Sequence, residues 1–434
     1  DHRDLHLSIR RQRQMCIRDR STWRRLPKTF EALSDKNFRW FFLGLFGGFA
    51  SMNMQMFVRG WLVFEITGSY EKLGFMTAAG GVVGLFAAPL GGVVADRLKQ
   101  KKTIIQYAQS FNALLALWIG HLIAVGELRF EHLLAVSILQ GISMSGMMPA
   151  RQALTTDIVG LEKLTNAVAL ITSAMNVARL LLPGLAGGMV AALGGGNGNI
   201  EAAQWVYLVM VGLYVFAVLS LMQVTVADRE PSKGPEPSMF NDLRSGFVYV
   251  IKTPVIFMLL GFNFLMVFFS MSYFTLLPGF AKDVLQVGPE KLGLLMSISG
   301  IGSLVGSLMI ASMSNHRRAK VILLGTMISA IGLILFSITT YYWLSVLLLT
   351  IVGFGSSARM SLSNVLIQTY VDDNFRGRVM SIYMLEMSVL SILMYPVSMI
   401  ADVIGPQWVV GVTAAMLVVL LLFLYSFRAY RDID

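Results

Sequence analysis

The feature that most constrains this chain is a series of apolar stretches long enough to cross a lipid bilayer. A bilayer core about 30 Å thick requires roughly 20 apolar residues per helix, and charge-poor stretches of that length recur from residue 40 to residue 427. Only 14% of the 434 residues are charged and 55% are hydrophobic, whereas an average globular domain has about 25% charged residues. The sequence therefore predicts an integral membrane protein.

These stretches predict an all-α fold of twelve transmembrane helices, arranged as two six-helix bundles. The predicted spans are residues 40–67, 73–95, 103–126, 133–156, 164–193 and 202–227, then 255–281, 292–314, 321–339, 342–371, 379–404 and 407–427. Gly405-Pro406 is expected to break the last hairpin, because both residues interrupt helices.

The predicted organisation has five parts, in which short polar segments flank and separate the two bundles. They are a basic segment (1–37), the first bundle (38–227), a cytoplasmic linker (228–253), the second bundle (254–427) and a tail (428–434). The first 21 residues contain no apolar stretch, so we do not expect a signal peptide. We interpret them as a disordered or foreign segment, the alternative being a basic arm attracted to anionic lipid.

The positive charges predict the orientation in the membrane. Of the 35 Lys and Arg residues, 28 fall on the side of the amino terminus and three lie inside spans; the four on the opposite side are Lys72, Arg129, Lys282 and Lys291. Because cytoplasmic loops carry the excess of Lys and Arg, both termini are predicted to be cytoplasmic. The net charge of +10 is then a signal of topology, and nucleic acid is not an expected partner.

The two halves of the chain repeat each other. Glu71-Lys-Leu-Gly74 opens the second span and Glu290-Lys-Leu-Gly293 opens the eighth, an offset of 219 residues. The segments that begin at Gln152 and Asn364 align at an offset of 212. Such a repeat indicates six helices plus six and places a substrate site between the halves near the midplane. Alternating access needs this duplication, whereas a membrane sensor or scaffold has no evident need of it.

Several motifs resemble the major facilitator superfamily. Gly92-Val-Val-Ala-Asp96-Arg97, followed by Lys101 and Lys102, is similar to the signature loop between its second and third helices, although Lys99 and Gln100 depart from the pattern. The segments PARQALTTDIV, NVARLLLPGLAGG and RGRVMSIY resemble the branch that contains the enterobactin exporter and related bacterial secretion proteins. The similarity extends over residues 38–427.

The resemblance implies roles for individual residues. It implies a conformational gate in which Asp96 contacts the amino-terminal end of the eleventh span in one conformation only; the alternative is a solvated Asp in a positively charged cytoplasmic loop. The members of the gate are Gly92, Asp96, Arg97 and Arg378. The resemblance also implies an interface motif in the fifth span, comprising Arg179, Pro183, Gly187 and Gly188. Proton-coupled exporters often carry an Arg three residues before the pair found here as Gln140-Gly141, and Ser137 occupies that position.

Ionisable side chains inside spans are costly and are therefore functional candidates. Arg359 and Glu386 lie about 18 and 14 Å from the cytoplasmic ends of neighbouring spans, at 1.5 Å per residue, so we expect them to meet. Glu386 is the candidate proton carrier; the alternative is a static ion pair. Arg59 shares a helix face with Gln55 and would suit an anionic substrate, unless it reaches towards the outer interface.

The resemblance further implies that the first, fourth, seventh and tenth spans line the substrate cavity. The candidate lining consists of polar side chains and flexible methionines of these spans: Gln55, Arg59, Gln140, Met144, Asn263, Met266, Ser357, Ser361 and Asn364. Met147 and Met148 would extend the apolar wall, although methionine more often serves packing.

The predicted function is secondary active transport, with export of small amphiphilic compounds, drug-like or siderophore-like, driven by protons. An uptake permease of the same fold and a non-transporting sensor or scaffold are the alternatives. The sequence has one cysteine, no P-loop, no dinucleotide-binding glycine pattern and no catalytic triad, so we expect no enzyme activity, metal or cofactor. The expected partners are a small-molecule substrate, protons and the lipid bilayer, and the expected location is the bacterial cytoplasmic membrane, as a monomer.

Overall fold

The computed structural model describes residues 28–97, 101–225, 239–311 and 318–426. Within these ranges the side chains of residues 28–29, 88–97, 161, 239–243 and 311 are not described. The basic arm of the first 21 residues, the polar stretch 228–238 and the tail 428–434 lie outside the described residues.

The described chain is helical almost throughout. A short 3-10 helix (Lys28–Ser34) is followed by α1 (Lys36–Thr67), α2 (Tyr70–Arg97), α3 (Lys101–Ala124), α4 (Phe130–Gly160), α5 (Glu162–Ala192), α6 (Ala203–Met222), α7 (Met239–Lys252), α8 (Pro254–Asp283), α9 (Pro289–Ala311), α10 (Arg318–Ile338), α11 (Tyr342–Tyr370), α12 (Arg376–Ile404) and α13 (Pro406–Ser426). Helices satisfy their own backbone hydrogen bonds, which lipid cannot do for them.

A helix covers the position of every predicted span, so the all-α membrane fold is confirmed. Ten helices of the described chain are long and apolar enough to cross a membrane. The other two at predicted span positions, α2 and α3, have 28 and 24 residues. Ten of the twelve predicted membrane crossings therefore meet the criteria of length and apolar composition, and the number twelve stays a prediction.

Polar and glycine residues define the helix ends. The Asp35 side chain accepts a hydrogen bond from the Phe38 amide at 3.0 Å and caps α1, and Gly68 ends that helix at φ +60°. Gly160, at φ +69°, separates α4 from α5 within one continuous helical stretch. Gly405, at φ +90°, separates α12 from α13, as the sequence predicted.

The range predicted as a linker contains an additional helix, α7. Tyr249 of α7 stacks on Phe375 with ring centroids 4.2 Å apart, and its hydroxyl donates to the Asp372 carboxylate at 3.1 Å. Gly246 of the same helix lies against Arg378 at the start of α12. The second part of the linker is therefore docked on the second bundle.

The buried side chains form three clusters that reveal how the bundles meet. One apolar cluster lies towards the end predicted to face outside and combines residues of both halves, including Phe57, Trp61, Phe280 and Leu292. The other two lie towards the opposite end, which is predicted to be cytoplasmic, and belong to one half each. In the described part of the chain, the halves thus share a core at the outer end and have separate cores at the inner end.

Candidate transport site

Two pairs of helices join the halves, and the first pair is α2 with α12. Glycines of α2 face serines of α12 at very short range: a Cβ added at Gly81 would lie 2.8 Å from the Ser391 Cβ, and one added at Gly84 would lie 2.7 Å from the Ser388 Oγ. Small residues let helix backbones approach closely in a membrane. The described contacts of this pair run from Gly74 to Gly84 of α2.

The second pair is α5 with α9, and it includes part of the predicted interface motif. A Cβ added at Gly187 would lie 3.2 Å from the Gly293 Cα, and one added at Gly293 would collide with the Pro183 carbonyl. The Gly184 amide donates to the Ser297 hydroxyl at 2.9 Å. Pro183 and Gly187 therefore lie in the crossing between the halves.

The remaining members of that motif do not pack in this crossing. A Cβ added at Gly188 would meet nothing within 4 Å. The Arg179 side chain is exposed but lies within electrostatic range of Tyr273 on α8, as does Arg359 of α11. Tyr273 thus connects two arginines that belong to different halves.

Polar contacts close the outer end between the halves. The Asp402 carboxylate of α12 accepts the Ser69 hydroxyl at 2.7 Å and the amides of Tyr70 and Glu71 at 2.8 Å each. The Lys282 ammonium pairs with the Glu65 carboxylate at 3.0 Å. These contacts were not predicted, and they hold this conformation shut at the end predicted to face outside.

A polar cluster connects α1 with α4 inside the first bundle. An Arg59 guanidinium nitrogen donates to the Ser137 hydroxyl at 3.1 Å. One turn along both helices, the Gln55 amide nitrogen donates to the Gln140 carbonyl oxygen at 2.5 Å. The Tyr214 hydroxyl donates to the Gln55 carbonyl oxygen at 3.4 Å. The structure therefore brings together three candidate cavity residues, Gln55, Arg59 and Gln140.

The position of Ser137 explains one departure from the exporter pattern. Exporters that the chain resembles often carry an Arg here, and this chain instead places the Arg59 side chain against Ser137 from the neighbouring helix. A guanidinium group is thus present at this point of the bundle, although a different helix supplies it.

A second polar cluster lies in the other bundle. The Asn263 amide of α8 donates to the Glu386 carboxylate of α12 at 3.0 Å. Arg359 of α11 lies within electrostatic range of Glu386, Tyr273 and Tyr383. Within the described residues, no Lys or Arg forms an ion pair with Glu386 at 4.0 Å or less. Arg359 and Glu386 therefore interact electrostatically without a direct contact, and the hydrogen-bond partner of Glu386 is Asn263.

The other candidate cavity residues have varied surroundings. Met266 packs in the inner core of the second bundle, and Met144 packs against the corresponding core of the first. Ser357 is buried against Gly306 of α9. Ser361 is partly exposed, and Asn364 accepts a hydrogen bond from Gln368. Among these residues, Ser361 and Asn364 are more accessible than Met266 and Ser357.

The predicted gate can be located only in part. Helix α2 continues to Arg97, but the side chains of Gly92, Asp96 and Arg97 lie outside those described. The Arg378 guanidinium lies 5.3 Å from the centre of the Phe375 ring at the start of α12. The contact between Asp96 and this helix start stays a prediction.

Two repeated bundles, paired small-residue crossings and polar clusters at mid-span define a membrane transporter. The model of the Major Facilitator Superfamily matches residues 41–385 and 264–433, and the chain belongs to this family. It is a multi-pass membrane transporter, and the predicted resemblance is confirmed.

Relatives and solved structures agree with this assignment. The chain is 25% identical over 346 residues to the enterobactin exporter EntS of Shigella boydii serotype 4 (strain Sb227), covering 78% of this chain and 76% of the relative. It is 26% identical over 345 residues to EntS of Escherichia coli O81 (strain ED1a), with the same coverage. A bacterial homologue of the human lysosomal transporter Spinster, in an inward-facing and unoccupied conformation, matches with a TM-score of 0.72 at 14% identity, covering 92% of this chain and 97% of that one. A mutant form of the nucleoside transporter NupG matches with a TM-score of 0.71 at 16% identity, covering 89% of this chain and 98% of that one.

Proposed function

We propose that this transporter exports small amphiphilic compounds from the bacterial cytoplasm and that proton exchange at Glu386 drives the export. The observation that carries the proposal is the position of Glu386, at mid-span in the second bundle, with a neutral amide as its direct partner. A carboxylate in a membrane interior is costly when charged, so a proton that reaches it relieves that cost. A group that is charged in one step and neutral in another is what a proton carrier requires.

The shape of the molecule supports alternating access. Contacts between the halves that the structure describes lie at the end predicted to face outside and towards mid-span, which fits a substrate that enters from the opposite end. Rigid-body motion of one bundle against the other would then open the outer end. The names of the relatives, enterobactin exporters, support outward transport of siderophore-like compounds.

A compound panel on the producing bacterium tests this function. A strain that lacks the gene should become more sensitive to some amphiphilic compounds, or should retain a secreted one, and the intact gene should reverse this. A protonophore should abolish the difference between the two strains. Equal sensitivity and equal secretion in both strains would contradict export, and accumulation that requires the gene would favour the uptake permease.

A further inference from the structure

The ionisable groups inside the spans are unequal in sign. Away from the helix ends, the described helices at the predicted span positions contain the three arginines counted inside spans in the sequence (Arg59, Arg179 and Arg359), one further arginine nine residues before the end of α4 (Arg151), and one carboxylate (Glu386). The single carboxylate lies near Arg359 in the second bundle. The arginines of the first bundle have no carboxylate within ion-pair distance in the described part of the chain, so an excess of positive charge remains there.

The polar cluster between α1 and α4 consists of two hydrogen-bonded pairs that lie one helical turn apart. One hydrogen-bonded pair joins Gln55 to Gln140, and the other joins Arg59 to Ser137. Residues three or four apart on one helix face have Cβ atoms about 5–6 Å from each other. Ser137, which contacts Arg59, is three residues from Gln140 on α4. The Arg59 and Gln140 side chains are therefore close enough for one small group to contact both.

The hydrogen bonds of this cluster leave one buried donor without a partner. The Tyr214 hydroxyl donates to Gln55, and Gln55 donates to the carbonyl oxygen of Gln140. The Gln140 side chain is only 7% exposed, and its nitrogen has no hydrogen-bond partner. An unpaired buried donor costs free energy, and a guanidinium group beside it adds further N–H donors.

We infer that Arg59 and Gln140 form an anion-binding subsite, which holds the carboxylate, sulfonate or phosphate group of an organic anion. Such a group accepts hydrogen bonds from both side chains and neutralises the charge of Arg59. The inference rests on the proposed transport function, because it names the chemical class of the substrate. The cluster around Glu386 in the second bundle differs, since its unpaired buried atom is the Asn263 oxygen, an acceptor.

Direct binding to the purified full-length protein tests the subsite without any gradient. The probes are 2-naphthoate, the neutral alcohol 2-naphthylmethanol and the cation 2-naphthylmethylammonium, measured by titration calorimetry. We expect the wild type to bind the naphthoate at least 10-fold more tightly than either analogue. Arg59→Met should weaken naphthoate binding by about 10- to 100-fold, as for a hydrogen bond to a charged group, and Arg59→Lys should weaken it less.

Gln140 provides a second, independent variant in case Arg59→Met fails to fold. Gln140→Leu should weaken naphthoate binding by about 2- to 10-fold, as for a neutral hydrogen bond. Gln140→Glu should weaken naphthoate binding more, because the new carboxylate would form an ion pair with the Arg59 guanidinium and repel the anion. The matched control is Arg151→Met. Arg151 is a second buried arginine, on α4, whose Nε also has no partner, but its guanidinium lies over the Phe49 ring, 4.7 Å from the ring centre, and not in the α1–α4 cluster; this variant should bind naphthoate like the wild type.

The outcomes separate this inference from the proposed function. Equal naphthoate binding by wild type, Arg59→Met and Gln140→Glu would overturn the subsite, as would tighter binding of the cation or the alcohol by the wild type. Arg59-dependent binding in a protein that moves no compound across a membrane would contradict transport and leave the subsite standing. Export unaffected by Arg59→Met would contradict the subsite and leave transport standing.

Discussion

Asp402 caps the first turn of a helix in the opposite half of the molecule: its carboxylate accepts the Tyr70 amide at 2.8 Å. The two residues are 332 positions apart and lie in opposite halves, so opening of this end would separate them. A carboxylate at a helix amino terminus satisfies unpaired amides and interacts favourably with the helix dipole. The contact therefore stabilises the outward-closed conformation over the open one.

Asp402→Ala should shift the molecule towards an open outer end. Loss of a helix cap costs about 0.5–2 kcal/mol, so the ratio of open to closed molecules should rise by about 2- to 30-fold. Pulsed electron paramagnetic resonance would report the distance between the halves. The spin labels would be attached at Lys72→Cys and Lys291→Cys in a Cys16→Ser background. Asp373→Asn is the control, because Asp373 is exposed and pairs with Arg376 near the opposite end. An unchanged distance distribution in Asp402→Ala would contradict this role.

Neighbouring glycines of α5 should respond differently to alanine. Gly187→Ala should weaken the closed crossing, because its Cβ would lie 3.2 Å from the Gly293 backbone and would collide with the Pro289 carbonyl. Gly188→Ala meets nothing within 4 Å and gains up to about 1 kcal/mol of helix propensity. Thermal unfolding in detergent should show a lower midpoint for the first variant and an equal or higher one for the second. Identical midpoints for the two would contradict the close crossing.

The sequence predicts the helices better than it predicts their contacts. Apolar length locates the spans, and Gly405 ends α12 where its backbone conformation favours glycine. The α7 helix is missed because its 14 residues alternate apolar and polar faces and are too few to cross a bilayer, so a search for long apolar stretches passes over it. The Asp402 contact joins residues in opposite halves, and no local pattern indicates such pairing.

The candidate site shows the same division. The mid-span charges Arg59, Arg359 and Glu386 are visible in the sequence because charge is rare in spans. Their partners are not visible, since helix rotation decides that Glu386 contacts Asn263 and that Arg59 reaches Ser137. Gly184 and Gly187 of α5, together with Gly293 and Ser297 of α9, are the small residues from which the α5 crossing could have been found.

Asp96→Asn should greatly reduce transport while leaving expression and folding nearly unchanged. We expect this because the gate contact would act between conformations and not in the substrate cavity. Transport by membrane vesicles, together with the thermal midpoint of the purified protein, would test it. Asp157→Asn is a control at the same predicted membrane surface, where Asp157 pairs with Lys101 at 2.8 Å. Transport by Asp96→Asn at the wild-type rate would remove the gate assignment.

Glu386→Gln should fold with little loss of stability. In the described residues its direct partner is Asn263, so the change in unfolding free energy should be about that of one hydrogen bond, 0.5–1.5 kcal/mol. If the carboxylate served only to neutralise Arg359, the loss would be about 3–5 kcal/mol. Arg359→Met combined with Glu386→Gln would then restore both stability and uphill transport. Chemical unfolding of the single and double variants distinguishes these cases.

The central claim is that Glu386 couples proton movement to export, and proteoliposomes with an imposed pH gradient test it most directly. The substrate is the compound to which the deletion strain proves most sensitive. The wild type should accumulate it against its concentration gradient, whereas Glu386→Gln should bind it and let it equilibrate without accumulation. Accumulation by Glu386→Gln to the wild-type level under the same gradient would contradict the claim.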